Sequence, residues 1–370
     1  MTTGTRLEAL DVFRGTTVAA MILVSTPGNW DAVYWPLEHA AWHGWTPTDL
    51  VFPFFLFAMG AAVPIALARR RAQPRRVRHH VGRRALILFG LGLLLNAMNA
   101  PSPLVWSTFR IPGVLQRIAI VFVIIAWLTE KRSRSVQIGV VAGVLLVYWA
   151  AMMLVPVPGF GPGVLTPNGN LASFLDRLVL RRHLAFGTWD PEGILSTVPA
   201  IATALCGVFA GDWLIDPAAR PHRALSLWAA GAIATVAALA WDLVFPINKN
   251  LWTSSFALLA AGVATQLLAV CYWVLDVQGV KGWSLPFVAF GRNALAAYFL
   301  SVSLDTIMTR WAVAAPEGSL KWSLYTHAFE SPLAPCCGME LASMAYAIAY
   351  VALWAVVVII MYRRRIFVGI

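Results

Sequence analysis

Long apolar segments alternate with shorter polar segments along the whole chain. A helix needs roughly 20 apolar residues to cross the hydrocarbon core of a bilayer. Measured against that length, the pattern predicts about ten spans. The predicted fold class is all-α, a polytopic membrane helix bundle, and we expect residues 1–370 to form a single domain. The predicted spans are 9–27, 48–68, 84–98, 113–129, 136–155, 193–213, 225–244, 254–275, 286–311 and 341–362.

The composition excludes an ordinary soluble globule. Of the 370 residues, 59% are hydrophobic and only 12% are charged. The mean hydropathy is +0.71. A chain with so few polar residues cannot cover a soluble surface of this size, so the lipid bilayer is the expected surrounding medium.

The distribution of cations predicts the orientation of the bundle. Eight arginines lie between positions 69 and 84, and further cations occur in 130–135, 220–223 and 363–365. Cytoplasmic loops of membrane proteins carry an excess of Lys and Arg, so both termini are expected in the cytoplasm. The net charge of +11 is then mainly an orientation signal, and nucleic acid is not an expected partner. Some of these arginines could instead hold an anionic cofactor.

Motifs for metal and nucleotide chemistry are absent from the sequence. It contains no C-x-x-C, no H-E-x-x-H and no G-x-x-x-x-G-K-[ST] segment. We therefore expect no metal and no ATP-driven step. Cys336 and Cys337 are adjacent in a predicted outer loop, where the sequence leaves their redox state open.

Ionisable residues inside predicted spans are candidates for function because their burial in lipid is costly. Asp11 and Arg14 are three positions apart in the first span and share one helix face. They are either a self-neutralising structural pair or part of a ligand site. Arg292 and Asn293 lie near the predicted inner end of the ninth span.

The first outer loop is rich in aromatic and titratable residues. It contains His39, Trp42 and His43, and Asp49 follows at the start of the second span. Tryptophan is typical of membrane interfaces but also packs against sugar rings. Histidine is the usual general base near neutral pH. Asp49 either caps the helix that follows or acts as the partner of a loop histidine.

Two further outer segments carry polar side chains next to predicted spans. Asp190 and Glu192 precede the sixth span, as helix caps or as ligands for an amino or hydroxyl group. Asn248 and Lys249 precede the eighth span. Carboxylates, amides, histidines and tryptophans together suit a hydrophilic, sugar-like substrate.

These residues belong to a set of short segments spread along the chain. Through these segments together, the chain resembles the heparan-α-glucosaminide N-acetyltransferase family, including its bacterial homologues. One position departs from the family pattern, because Ser25 stands where many relatives carry asparagine. The segments are Leu10–Gly15, Glu38–Gly44, Asp49–Pro53, Pro112–Arg117, Asp190–Gly193, Asn248–Trp252 and Asn293–Tyr298.

The resemblance implies a transmembrane acyltransferase. An acetyl group from cytosolic acetyl-CoA would pass to the amine of glucosamine, or of a glucosamine-containing saccharide, on the outer side. The family's catalytic histidine corresponds to His39, and we expect Asp49 to assist it. His39 would act either as general base or as acetyl acceptor, and the sequence leaves both versions open.

The remaining site residues are assigned by role, as expectations. Further expectations are a homodimer and a bacterial plasma (inner) membrane location. A secondary transporter for an amino sugar is the alternative function, and a receptor or scaffold would leave the buried charges and His39 unexplained. Cofactor binding is expected of Asp11, Arg14, Arg83, Arg84, Arg292 and Asn293, and substrate binding of Trp42, His43, Asp190, Glu192, Asn248 and Lys249.

Overall fold

The chain is almost entirely helical. The computed structural model describes residues 7–70, 74–100, 105–216, 222–313 and 318–368. Within them there is no β-strand, only isolated bridges. The helices are α1 (Glu8–Ser25), α2 (Pro47–Arg70), α3 (Pro74–Asn99), α4 (Val114–Lys131), α5 (Arg134–Leu154), α6 (Leu171–Leu180), α7 (Ile194–Ile215), α8 (Arg223–Asp242), α9 (Ser254–Tyr272), α10 (Leu285–Arg292), α11 (Ala294–Arg310), α12 (Leu320–Tyr325), α13 (Ser331–Cys337) and α14 (Met339–Arg363).

Every predicted span coincides with a helix or a helix pair, which confirms the all-α polytopic fold class. In the described part of the chain, seven helices are long and apolar enough to cross a membrane, or eight if the bent pair α10–α11 counts as one span. The helices α1 and α4 have 18 residues each, and both carry charged side chains. The total of about ten spans and the cytoplasmic termini therefore stay predictions.

The ninth predicted span is not one straight helix, which corrects the prediction of a single segment at 286–311. The axes of α10 and α11 differ by 85°. The break is at Asn293, whose backbone leaves the helical region with φ −117° and ψ 31°. The side-chain Oδ1 of Asn293 accepts a hydrogen bond from the backbone N–H of Val368 at 3.0 Å. This bond reaches a backbone group 75 positions further along the chain, so it fixes the Asn293 side chain at the break from outside the helix.

Connecting segments are also more helical than the pattern predicts. The helix α3 begins at Pro74, ten positions before the predicted third span. Proline is favoured in the first helical turn because its missing N–H needs no partner there. The short helices α6, α12 and α13 lie in segments predicted as outer loops.

The chain divides into two compact units. Unit 1 contains Met1–Ala40, Thr46–Phe52 and Cys271–Gly369, and unit 2 contains Ala41–Trp45 and Pro53–Val270. The expectation of a single domain stays a prediction, and each unit has its own internal packing.

In unit 1, glycines allow α1 and α10 to approach very closely. A Cβ atom on Gly15 would lie 1.8 Å from the carbonyl oxygen of Phe287, and one on Gly291 would lie 2.0 Å from that of Asp11. Small residues at such crossings permit backbone contact between membrane helices. The glycine that ends the Leu10–Gly15 segment therefore has a packing role.

In unit 2, glycines likewise allow α7 to pack closely against the C-terminal part of α2. A Cβ atom on Gly60 would lie 2.0 Å from the carbonyl oxygen of Ala204, and one on Gly207 would lie 2.1 Å from that of Phe57. This packing fixes the position of α7, whose first turns hold several of the polar side chains described below.

Candidate active site

Unit 1 contains a histidine–aspartate pair at the start of α2. The Nδ1 atom of His39 lies 2.7 Å from Oδ1 of Asp49. Asp49 is only 1% exposed, whereas the side chain of His39 is 48% exposed. A carboxylate at Nδ1 favours the tautomer with its proton on that atom, which leaves the lone pair on Nε2.

Asp49 also caps α2, so the two roles considered for it are compatible. Its Oδ2 accepts hydrogen bonds from the backbone N–H of Thr46 at 3.0 Å and of Ala40 at 3.1 Å. The hydroxyl of Thr46 donates to the carbonyl oxygen of Glu38 at 2.5 Å. These bonds hold the loop that carries His39 against the first turn of α2. The orientation of the His39 ring is thus set by a loop that several hydrogen bonds hold in place.

Four of the six expected cofactor residues lie in unit 1. Asp11 and Arg14 are on α1, Arg292 ends α10, and Asn293 is at the break between α10 and α11. Arg14 Nη2 pairs with Asp11 Oδ1 at 3.2 Å, as their spacing predicts. The guanidinium of Arg292 lies 5.0 Å from the ring centroid of Tyr362 and 4.9 Å from that of Phe367. Cation–π contacts of this kind stabilise a cation away from water.

Two donors at this break lack an acceptor among the residues described. Asn293 is fully buried, and its Nδ2 has no hydrogen-bond partner there. The Nε of Arg292 is also buried without a partner. Buried donors normally find an acceptor, so these two N–H groups suit a polar ligand or ordered water.

The other two expected cofactor residues belong to α3, in unit 2. Arg83 is exposed. The guanidinium of Arg84 lies 4.8 Å from the ring centroid of Phe122. Their role in binding a cofactor stays a prediction.

Asp190 and Glu192 are both bound by Arg110, which is not among the expected site residues. Arg110 donates to Asp190 from Nε at 2.8 Å and from Nη2 at 2.7 Å, and Nη2 also reaches Glu192 Oε2 at 2.5 Å. Burial lowers the pKa of Arg110, but its hydrogen bonds and the charges of both carboxylates raise it above the usual value.

The carboxylate of Asp190 is saturated with hydrogen bonds. Besides Arg110, it accepts from the backbone N–H of Ala185 at 2.8 Å and of Glu192 at 2.9 Å. A direct bond to a substrate would have to displace one of these. The role of Asp190 in substrate binding stays a prediction, and its visible bonds order the segment before α7.

Arg117 joins α4 to the first turns of α7 and was also not assigned. It is 1% exposed and donates to Ser196 at 2.6 Å and to Thr197 at 3.1 Å. Its guanidinium lies 4.9 Å from the ring of Trp252. Within the described ranges it forms no ion pair. Its position just inside the fourth predicted span marks it as a candidate by sequence, although the sequence assigns it no role.

Asp176 on α6 is a further buried carboxylate that the sequence did not reveal. Its Oδ1 accepts from the backbone N–H of Ile194 at 2.8 Å. Burial and the charge of Asp190 together raise the pKa of Asp176 to about 6, although the hydrogen bond from Ile194 lowers it in part. The available signal was Asn170, whose side chain caps α6 by accepting from the N–H of Ser173 at 2.8 Å.

Trp42 belongs to an aromatic group in unit 2. Its indole N–H donates to the carbonyl oxygen of Leu165 at 2.8 Å. Its ring centroid is 5.1 Å from that of Trp189, which stacks on Phe186 at 4.4 Å. Trp189 and Phe186 lie just before the expected substrate residues of the second outer segment.

His43 and Asn248, both expected to bind substrate, lie side by side in unit 2. Asn248 Nδ2 is 3.4 Å from His43 Nδ1, and Gly44 donates to the carbonyl oxygen of Ile247 at 2.8 Å. Burial lowers the pKa of His43, although the charge of Asp242 raises it in part. Lys249 is half-buried beside Asn248.

Among the described residues, no group of three or more His, Cys, Asp or Glu side chains could hold a metal ion. The candidate site residues of unit 1 are the histidine–aspartate pair and the four residues expected to bind the cofactor, and those of unit 2 include buried arginines and aromatic residues.

Fold and site define an all-helical, polytopic membrane protein with an oriented histidine in an ordered loop. The family model described as heparan-alpha-glucosaminide N-acetyltransferase, catalytic, matches residues 6–245. The chain belongs to the heparan-alpha-glucosaminide N-acetyltransferase family.

Two curated relatives show the extent of the similarity. The chain is 28% identical to human heparan-alpha-glucosaminide N-acetyltransferase, covering 98% of this chain and 59% of the relative. It is 27% identical to the mouse protein of the same name, covering 98% of this chain and 60% of the relative. The chain thus spans about three fifths of the length of the curated relatives it matches.

Proposed function

We propose that this chain is a transmembrane acetyltransferase. It moves an acetyl group from cytosolic acetyl-CoA to the amine of glucosamine, or of a glucosamine-containing saccharide, on the outer side. The observation that carries the proposal is the 2.7 Å contact between His39 Nδ1 and Asp49 Oδ1 in a chain of this family. The relatives' name supplies the reaction type and the amino-sugar acceptor.

The histidine–aspartate pair suits proton removal from the acceptor amine. Asp49 keeps the proton on Nδ1 of His39, and the lone pair of Nε2 takes the proton from the attacking nitrogen. The buried carboxylate then stabilises the imidazolium that forms. Acetyl-CoA supplies the thioester, whose carbon–sulfur bond breaks as the carbon–nitrogen bond forms. In the second version, Nε2 of His39 itself accepts the acetyl group before the amine does.

The unpartnered donors of unit 1 suit the cofactor. Arg292 Nε and Asn293 Nδ2 are buried N–H groups without an acceptor among the described residues. Oxygen acceptors of a CoA molecule, on its phosphates or its pantetheine amides, would satisfy them. We assign Asp11, Arg14, Arg292 and Asn293 to this function, and Arg83 and Arg84 to attraction of the phosphates.

The polar and aromatic residues of unit 2 suit the acceptor. Trp42 offers a ring face for a sugar, and His43, Asn248 and Lys249 offer polar partners. We assign Glu192 to binding the acceptor amine. Asp190 positions Glu192 indirectly, because Arg110 donates to both carboxylates. We further propose a homodimer in a bacterial inner membrane.

One observation favours the transporter alternative. The bent pair α10–α11 has an 85° break at a buried asparagine, and broken helices are typical of substrate sites in secondary transporters. The two functions predict different fates for the thioester, which makes them separable.

The test uses purified protein in liposomes, with acetyl-CoA on one side and glucosamine on the other. The proposed activity releases free CoA and N-acetylglucosamine in equal amounts, on opposite sides. Passage of unmodified glucosamine without consumption of acetyl-CoA would overturn the acetyltransferase and favour the transporter. Product formation only when both reagents share one side would contradict the transmembrane step.

A further inference from the structure

Two adjacent cysteines end α13, in unit 1. The Sγ atoms of Cys336 and Cys337 lie 2.9 Å apart. Both residues are exposed free thiols, so small reagents can reach them. The Sγ of Cys336 also lies 3.2 Å from the carbonyl oxygen of Leu333, to which its S–H can donate. The pair is thus held with its sulfur atoms in direct contact.

The other cysteines differ from this pair. Cys206 and Cys271 are partly buried on α7 and α9, far apart in sequence, and each is a single thiol. Such cysteines behave as small apolar core residues. They therefore provide an internal reference for the reactivity of the exposed pair.

The spacing of the two residues determines what kind of disulfide they can form. Consecutive Cα atoms are about 3.8 Å apart across a trans peptide, below the roughly 4.4 Å lower limit for ordinary disulfides. A disulfide between neighbours is therefore strained. Strained and exposed disulfides are readily reduced and are the labile, regulatory kind.

The local backbone can tolerate the change. Cys337 is the last residue of α13, and Gly338 follows with φ +88°, a conformation that glycine adopts without strain. Ring closure therefore disturbs only the end of a seven-residue helix. It also removes the S–H group of Cys336 that faces Leu333.

We propose that Cys336 and Cys337 are a redox-active vicinal dithiol that small-molecule disulfides oxidise and thiols reduce. One cysteine sulfur attacks the oxidant, forming a mixed disulfide and releasing one thiol. The neighbouring sulfur then displaces the second thiol and closes the Cys336–Cys337 bond. The two cysteines lose two electrons and two protons, which the oxidant takes up as two thiols.

Oxidation of the pair depends on the protonation of its thiols. The contact with Cys336 raises the pKa of the Cys337 thiol, because loss of its proton would break the sulfur–sulfur hydrogen bond. The thiolate is the attacking species, so the pair reacts with an oxidant faster as the pH rises.

The first test is intact-mass analysis of the reduced, detergent-solubilised chain after treatment with oxidised glutathione. We expect a loss of two hydrogen masses, a cross-link mapped to the Cys336–Cys337 peptide, and full reversal by dithiothreitol. A stable glutathione adduct, a disulfide-linked dimer, or Cys336 and Cys337 that both remain alkylable after the treatment would each overturn the proposal.

A second test uses phenylarsine oxide, which needs two neighbouring thiols and releases one water on binding. The reduced chain should bind one equivalent, and the oxidised chain none. The variants C336S and C337S should each lose binding, whereas the double variant C206S/C271S should keep it. Retention of binding by C336S would place the reactive pair elsewhere and contradict the proposal.

Discussion

The carboxylate of Asp49 contacts Nδ1 of His39 at 2.7 Å across ten positions of sequence. The same carboxylate accepts two backbone N–H groups, from Ala40 and Thr46. A helix cap and a histidine partner are therefore one group. The effect of the Asp49 charge on His39 can therefore be distinguished from the effect of the capping bonds only by a substitution that keeps the shape of the side chain.

Replacing Asp49 by asparagine should test the charge alone. D49N retains an oxygen for the backbone donors but loses the negative charge beside the imidazole. We expect acetyl transfer to fall by about 10²-fold to 10⁴-fold, because proton transfer by a positioned base is worth that much. Steady-state acetylation of glucosamine measures it. D31N, at an exposed carboxylate of the same loop, should remain near wild type, and equal losses in both variants would contradict the pairing.

Arg110 should be a major contributor to stability. Loss of its side chain in R110M leaves two carboxylates with 0% and 10% side-chain exposure without their cation. We expect a loss of about 3 kcal/mol in the free energy of unfolding, the cost of an unpaired buried charge. Denaturant unfolding in detergent micelles measures it.

The matched control is R134M, which breaks the pair of Arg134 with Asp212, whose side chains are 41% and 34% exposed. An exposed pair contributes about 0–1 kcal/mol. A similar cost for R110M and R134M would show that the Arg110 cluster is not buried in solution.

Asp176 should make stability depend on pH. Burial raises its pKa from the usual 3.8 to about 6, so the folded state holds this proton more tightly than the unfolded state. Stability is then highest below pH 4 for this group and falls as the pH rises from about 4 to about 6. Across this range, the contribution of Asp176 to the free energy of unfolding falls by about 3 kcal/mol in total.

The variant D176N carries no titrating group at this position. Its unfolding free energy, compared with wild type at pH 4.5, 6 and 7.5, should lack this component, so the difference between the two proteins changes with pH. A constant difference across that range would show that Asp176 does not titrate there.

The closest helix crossing should not tolerate a methyl group. G291A places a Cβ about 2.0 Å from the carbonyl oxygen of Asp11, so α1 and α10 must separate. We expect a loss of about 1–3 kcal/mol, typical of overpacking. Thermal unfolding in micelles measures it. G139A on α5, where nothing lies within 4 Å of the new atom, should be neutral or stabilising, since alanine favours helix more than glycine does.

The sequence predicted the helices well because the bilayer imposes one length and one composition on every span. It missed the break at Asn293, since that break depends on a bond to Val368, 75 positions away. It missed α6 because ten residues are too short for the membrane pattern.

The site was predicted only in part, because some of its contacts join residues close in sequence and others join distant residues. The spacing of Asp11 and Arg14 encodes their pair directly, whereas Arg110 meets Asp190 across 80 positions. A long-range ion pair has no local signature, and each of its members was interpreted by its own segment alone. The assignment of residues to acetyl-CoA and to the acceptor rests on the family resemblance and stays a prediction.

The most direct test of the central claim is acetyl transfer by H39Q in liposomes with acetyl-CoA and glucosamine on opposite sides. H327Q, which alters an exposed histidine outside the proposed site, serves as the matched control. The proposal predicts that H39Q binds acetyl-CoA and folds normally but loses transfer by at least about 10²-fold, while H327Q remains active. Full transfer by a folded H39Q protein would contradict both the general-base and the acetyl-acceptor mechanism.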